Sequence, residues 1–140
     1  MIIAISISRQ HLYQLERIAK ECYPKEACAL LEGTMTTIND KLDHEQANVL
    51  AVLRMRNADE SIHSFRIDPS DLIRAYREIG SRNREVVGIF HSHASEAYPS
   101  LTDRRYMELN PVVWLIYSTL SNRFAAFIID GVIVQVNLES

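Results

Sequence analysis

Residues 2–7 alternate between apolar and polar, as in a short strand. Leu12, Leu15, Ile18, Ala19 and Cys22 then recur at helical spacing. Ser8 is placed to cap that helix, which runs to about Tyr23 and ends before Pro24. Ala27 to Leu31 is a compact apolar run closed by Gly33, as expected of a buried strand. Thr34 to Glu45 is polar and reads as a turn-rich stretch. Val49 to Met55 predicts a strand, and Ser64 to Ile67 a weaker one. Asp68-Pro69-Ser70 opens a helix through about Ser81, with Leu72, Ile73, Tyr76 and Ile79 on its inward side. Val86 to His91 predicts a strand, and Thr102 to Leu109 a short helix. Val112–Tyr117, Phe124–Ile129 and Val132–Val136 predict three further strands, the last two joined by a hairpin at Asp130-Gly131.

Strands and helices do not alternate strictly, which argues against a doubly wound parallel sheet. The pattern predicts an α+β domain: a mixed, mostly antiparallel sheet flanked by two long helices and one short one. With 140 residues and no linker or repeat, residues 1–140 form one domain.

A net charge of -3 and scattered basic residues leave no electrostatic footprint for nucleic acid. The apolar runs fall short of the roughly 18–20 residues of a membrane span. MIIAISISRQ lacks a basic signal-peptide start, so a cytoplasmic protein is expected. Cys22 and Cys28 lie in apolar contexts and read as buried free thiols.

The chemistry is concentrated in GIFHSHASEAYPSLTD, residues 88–103. Alternate residues of a strand face the same way, so His91 and His93 aim two imidazoles at one point. Two histidines and one carboxylate leave an open position, the arrangement that holds catalytic zinc. Asp103, in a Ser-x-x-Asp helix start at Ser100, and Glu96 are both placed to be the third ligand, and spacing does not choose between them. A metal-bound water needs a base. Glu26, Glu32 and Glu96 are candidates, and Glu26 is favoured by its place at the entry to a buried strand, where desolvation raises a carboxyl pKa. His11, His44 and His63 are isolated.

Glu26, His91-Ser92-His93 and Ser100-Leu101-Thr102-Asp103 together resemble the JAMM motif of the MPN-plus metalloproteases. YPKEACALLEG is similar to that family's glutamate segment and VVGIFHSH to its central strand. The resemblance spans about Leu12 to Ile129. It implies an MPN, cytidine-deaminase-like α/β sandwich. It also implies one zinc ion on His91, His93, Asp103 and a water, with Glu26 as base and Ser100 as donor to the oxyanion. The implied substrates carry C-terminal glycines: ubiquitin-like proteins or sulfur carriers with a Gly-Gly tail. EAYPSLTD is most similar to bacterial enzymes that release cysteine from a carrier adduct. The alternative expectation is a non-catalytic MPN scaffold that binds a ubiquitin-like protein or a partner subunit. Tyr98, Trp114 and Tyr117 are candidates to line a groove for the tail, and a homodimer is the base expectation for such folds. Three features depart from the family pattern. The His93–Ser100 loop has six intervening residues where seven are usual, Ala94 replaces a proline, and Ala29 replaces a glycine.

Overall fold

The computed structural model describes residues 1–38 and 41–140. Its elements are β1 (Ile2–Ser6), α1 (Arg9–Cys22), β2 (Cys28–Ile38), β3 (Lys41–Met55), α2 (Pro69–Ser81), β4 (Glu85–His93), α3 (Leu101–Leu109), β5 (Val113–Ser118), β6 (Arg123–Asp130) and β7 (Val132–Glu139).

The strands close into a barrel in the order β1-β3-β2-β4-β5-β6-β7. This corrects the expected open, helix-flanked sandwich. The α+β content stands, but the first strand runs parallel to both β3 and β7 and joins the two edges. Nothing in a local apolar pattern reports that closure, because it pairs Ala4 with Asn137, at the two ends of the sequence. A closed sheet leaves no open edge at that seam.

Two apolar clusters hold the helices. Leu15, Ile18 and Ala19 of α1 pack with Ala29, Leu31, Phe90 and Leu115. Ala75 and Ile79 of α2 and Met107 of α3 pack with Leu30, Ile89, Trp114 and Ile116. Successive residues of β2 and β4 therefore serve different clusters, as the pleat requires. The inward side of α2 is Leu72, Ala75 and Ile79; Ile73 and Tyr76 are exposed. The expected face is rotated because positions 72, 75 and 79 fall on one stripe of a 3.6-residue helix.

The polar stretch after Gly33 is a second correction. β2 continues to Ile38 and β3 begins at Lys41, so a long hairpin replaces the turn-rich segment. Asn39 and Asp40, in the middle of that expectation, lie outside the described residues. The side chains from Thr34 to Thr37 are partly or fully exposed, so an outer strand there needs no apolar run. Ser64–Ile67 forms no strand and lies in the loop before α2. Cys22 and Cys28 are free thiols, with Cys28 buried and its pKa pushed up to about 12 by burial and Cys22 only half-buried. Among the described residues, no helix is long and apolar enough to cross a membrane.

Gly33 sits at a register shift between β2 and β3, where a Cβ would lie 1.7 Å from the Asn48 carbonyl oxygen. Gly80 is helical, with nothing within 4 Å of a Cβ. Gly33→Ala is therefore expected to lower stability in denaturant unfolding by more than about 2 kcal/mol, while Gly80→Ala raises it by about 0.5 kcal/mol.

Candidate metal centre

The antiparallel pairing of β2 with β4 sets the site. Cys28 pairs with His91, Ala29 with Phe90 and Leu30 with Ile89. Continuing that register by two residues brings Glu26 opposite His93. Ser92, between the two histidines, faces the other way. Its Oγ accepts from the Ala27 N–H at 2.9 Å, and its own N–H donates to the Ala27 carbonyl at 3.1 Å. The chain next to Glu26 is thus pinned to the segment that carries both imidazoles.

Asp103 arrives by a crossover. β4 and β5 are parallel, so the chain must return to the starting edge, and α3 lies in that return. Its N-terminus meets the C-terminal end of β4. Ser100 caps the helix: its Oγ accepts from the Asp103 N–H at 3.0 Å, while Asp103 Oδ2 accepts from the Ser100 N–H at 2.9 Å. This reciprocal box fixes the Asp103 rotamer.

The result is a triangle. His91 Nε2 and His93 Nε2 lie 2.8 Å apart, and Asp103 Oδ2 is 3.0 Å from each. Ligand atoms of Glu26, His91 and His93 all fall within 4.8 Å of one another. All four residues are buried. The loop with six intervening residues brings Asp103 within reach of both histidines. Of the carboxylates left open by spacing, Asp103 is the one in the triangle. The Glu96 side chain is exposed, and its backbone carbonyl accepts from His93 Nδ1 at 3.1 Å. That bond puts the hydrogen on Nδ1 and leaves the neutral ring's Nε2 lone pair facing the triangle, as a metal ligand requires. Phe65 stacks on His91 with centroids 4.7 Å apart.

These residues fit a tetrahedral cation. Bonds of about 2.0–2.1 Å to nitrogen and oxygen put ligand atoms about 3.3 Å apart, so the triangle need open by only a few tenths of an ångström. The donor set, two imidazoles and a carboxylate, suits zinc.

The protonation pattern follows from burial and neighbours. Burial drives the His91 pKa down. Burial pulls that of His93 down too, but Asp103 and the Glu96 carbonyl outweigh it and the net shift is upward. Desolvation would raise Asp103, yet the His91 and His93 rings beside it and the Ser100 N–H hold its carboxyl well below the usual carboxylate range. Glu26 is different. Burial raises its pKa to about 8, and its buried Oε1 has no hydrogen-bond partner. Glu32, also considered for the base, is buried further along β2 and bound by Arg82 at 2.6 Å and Arg84 at 2.9 Å, which hold its pKa down. It is a structural ion pair. His11, His44 and His63 are outside the cluster.

The sequence gives Ser92 no role within His91-Ser92-His93, and Phe65 falls in the segment expected as a weak strand. A serine inside the apolar run of β4 was the available signal; Phe65 offered none.

A family model described as prokaryotic homologs of the JAB domain matches residues 8–128. The chain belongs to this JAB/MPN family. It is 42% identical over 73 residues to the desampylase of Pyrococcus furiosus, covering 51% of this chain and 52% of the relative. It is 33% identical over 86 residues to the CysO-cysteine peptidase of Mycobacterium tuberculosis, covering 61% of this chain and 53% of the relative. The chain thus spans about half the length of these curated relatives. The solution structure of a Desulfitobacterium hafniense protein superposes with a TM-score of 0.79 at 26% identity, covering 97% of this chain and 94% of that one.

In the metal-free JAB-family protein, a carboxyl whose pKa rises from 4.5 to about 8 on folding stabilises the fold fully below about pH 4.5 and loses that contribution as pH climbs through 8. Glu26→Gln removes this dependence. Chemical unfolding at pH 9 should find the metal-free variant more stable than the parent by on the order of 2 kcal/mol, and the two nearly equal at pH 4.

Proposed function

We propose that the protein is a zinc-dependent peptidase that hydrolyses the bond after the C-terminal glycines of a ubiquitin-like or sulfur-carrier protein, releasing cysteine from a carrier adduct. The observation that carries this reading is the convergence of two imidazole nitrogens and a fixed carboxylate beside a buried, unpartnered carboxyl. The names of the relatives, a desampylase and a CysO-cysteine peptidase, support the substrate class.

His91, His93 and Asp103 would hold the ion, with water as a fourth ligand. When bound, zinc supplies Lewis-acid polarisation of the scissile carbonyl and lowers the pKa of a water. Glu26 takes the proton from the attacking water and later hands it to the leaving amine. Its carboxyl lies beside the imidazole nitrogens with a buried, unpartnered oxygen, which suits a group that takes a proton and returns it. Ser100 uses its oxygen to accept from the Asp103 N–H, which leaves its hydroxyl hydrogen free to donate to the developing oxyanion. No side chain forms a covalent intermediate. A cavity of about 660 Å³ lined by Glu26, Lys25 and Arg54 provides room for the leaving group.

The carrier tail is extended and small at its last two residues. Tyr98 is exposed on the loop between ligands, edge-on to Phe127 at 5.4 Å, and we assign it to the tail-binding rim. Trp114 and Tyr117 are core residues instead: the Trp114 indole donates to the Asn110 carbonyl, and both are about 1% exposed. A carrier adduct as substrate fits a cytoplasmic enzyme.

The protein as purified should contain about one equivalent of zinc, the ion count of a single catalytic site. Mass spectrometry should detect cleavage of a carrier ending in Gly-Gly-Cys, abolished by chelator and reduced about 10²–10⁴-fold by Glu26→Gln. Full activity in a metal-stripped His91→Ala, His93→Ala double variant would rule the reading out. Carrier binding that survives zinc removal, with no product from the untreated protein, would favour a scaffold instead.

A further inference from the structure

Asn57 lies two residues beyond the end of β3, and none of its side-chain hydrogen bonds reaches the triangle. Its side chain nevertheless ties the site together. Asn57 Nδ2 donates to the Glu26 carbonyl at 3.0 Å and to the Ser64 carbonyl at 3.0 Å. Oδ1 accepts from the N–H of Asp59 at 3.0 Å and of Arg66 at 3.1 Å. An amide side chain has two donor hydrogens and an oxygen with two lone pairs, so every position is used.

The loop from 57 to 66 is closed by this amide and by the Ala58 N–H to the Arg66 carbonyl at 2.7 Å. Glu26 is gripped from both sides of its backbone by that loop. Its N–H donates to the Ser61 carbonyl at 2.8 Å, and its carbonyl accepts from Asn57. The sheet itself begins at Cys28, and the bonds of Ala27 to Ser92 are the last that β4 offers. Residue 26 therefore owes its place to the loop. The same loop carries Phe65, buried against the His91 ring.

We propose that Asn57 is a positioning residue, which holds the backbone of Glu26 and the ring of His91 in mutual register through one saturated amide. This rests on the reading of Glu26 as the base and His91 as a ligand. The side chain is specific. Aspartate is isosteric but turns a carboxylate toward two carbonyl oxygens, and serine supplies one donor in place of two. A base displaced by a fraction of an ångström loses rate while the binding surface for the carrier stays as it was.

The test compares Asn57→Asp with Asp59→Ala. The second variant removes the Asp59 contacts to Arg66 Nε at 3.1 Å and Ser64 Oγ at 3.3 Å on the outer side of the loop, and spares the Asn57 amide. With a carrier ending in Gly-Gly-Cys, Asn57→Asp should lower kcat about 10–100-fold, with KM and zinc content unchanged. Amide hydrogen exchange should show the Glu26 N–H exchanging at least about tenfold faster, with the Ala27 N–H unaffected. Asp59→Ala should leave kcat and the Glu26 exchange rate as in the parent. If Asn57→Asp does not fold, Asn57→Ser carries the same expectations. Parent-like kcat in the Asn57 variant, or a loss matched by an equal loss of zinc or folded protein, overturns the proposal. If the parent protein cleaves nothing, the assignment of Glu26 as base fails, and the exchange rates alone decide the clamp: an unchanged Glu26 N–H overturns it, a faster one upholds it.

Discussion

The register between β2 and β4 is the constraint on which the site depends. Side chains alternate along a strand, so a slip of one residue would send His91 and His93 to the opposite face and leave Ser92 in their place. The apolar partners of the same pairing prevent that slip. Ala29 and Leu31 on one cluster, and Leu30 and Ile89 on the other, would each be exchanged between clusters by it. Hydrophobic packing along the length of the two strands thereby fixes the position of polar groups at their ends. The polar groups contribute little to that choice.

β2 carries two buried carboxylates, and their contrast explains which one is available for chemistry. Glu32 spends its charge on two arginines. Such a pair is held in one protonation state and has no reason to exchange a proton near neutral pH. Glu26 is nearly as buried, but its Oε1 has no hydrogen-bond partner, and the nearby His93 does not offset the burial. Burial without compensation is costly, and it is found where a protein uses the instability. The fold tolerates it at the rim of the barrel, two residues outside the regular ladder.

Much of this was readable in the residues. The helix starts at Ser8, Asp68 and Ser100 carry local capping chemistry, and each helix begins where its cap dictates. His91 and His93 follow from the two-residue period of strands. Glu26 is favoured by its place at the entry to a buried strand, but spacing leaves Glu96 open beside Asp103; the structure puts Asp103 in the triangle and exposes Glu96. Barrel closure by β1 was invisible because it is a pairing of distant segments. The long β2–β3 hairpin was obscured because Thr34, Thr36 and Thr37 interrupt any apolar run, with Met35 alone among residues 34–37 reaching the core. Asn57 and Phe65 were hidden for another reason: their importance lies in hydrogen bonds and ring contacts across the fold, and neither residue type announces that in its own stretch of chain.

Asp103 Oδ2 serves two masters. It receives the Ser100 N–H as part of the α3 cap and faces both imidazoles. In the proposed zinc peptidase, helix initiation and cation affinity would thus be vested in one oxygen atom. On that reading, a chain that gave up the ion by changing this position would also have to restart the helix. The gentlest exit is asparagine, whose amide oxygen still receives the backbone hydrogen while its charge is gone. A relative that lost the chemistry yet kept the architecture would leave that trace at position 103 more readily than an alanine.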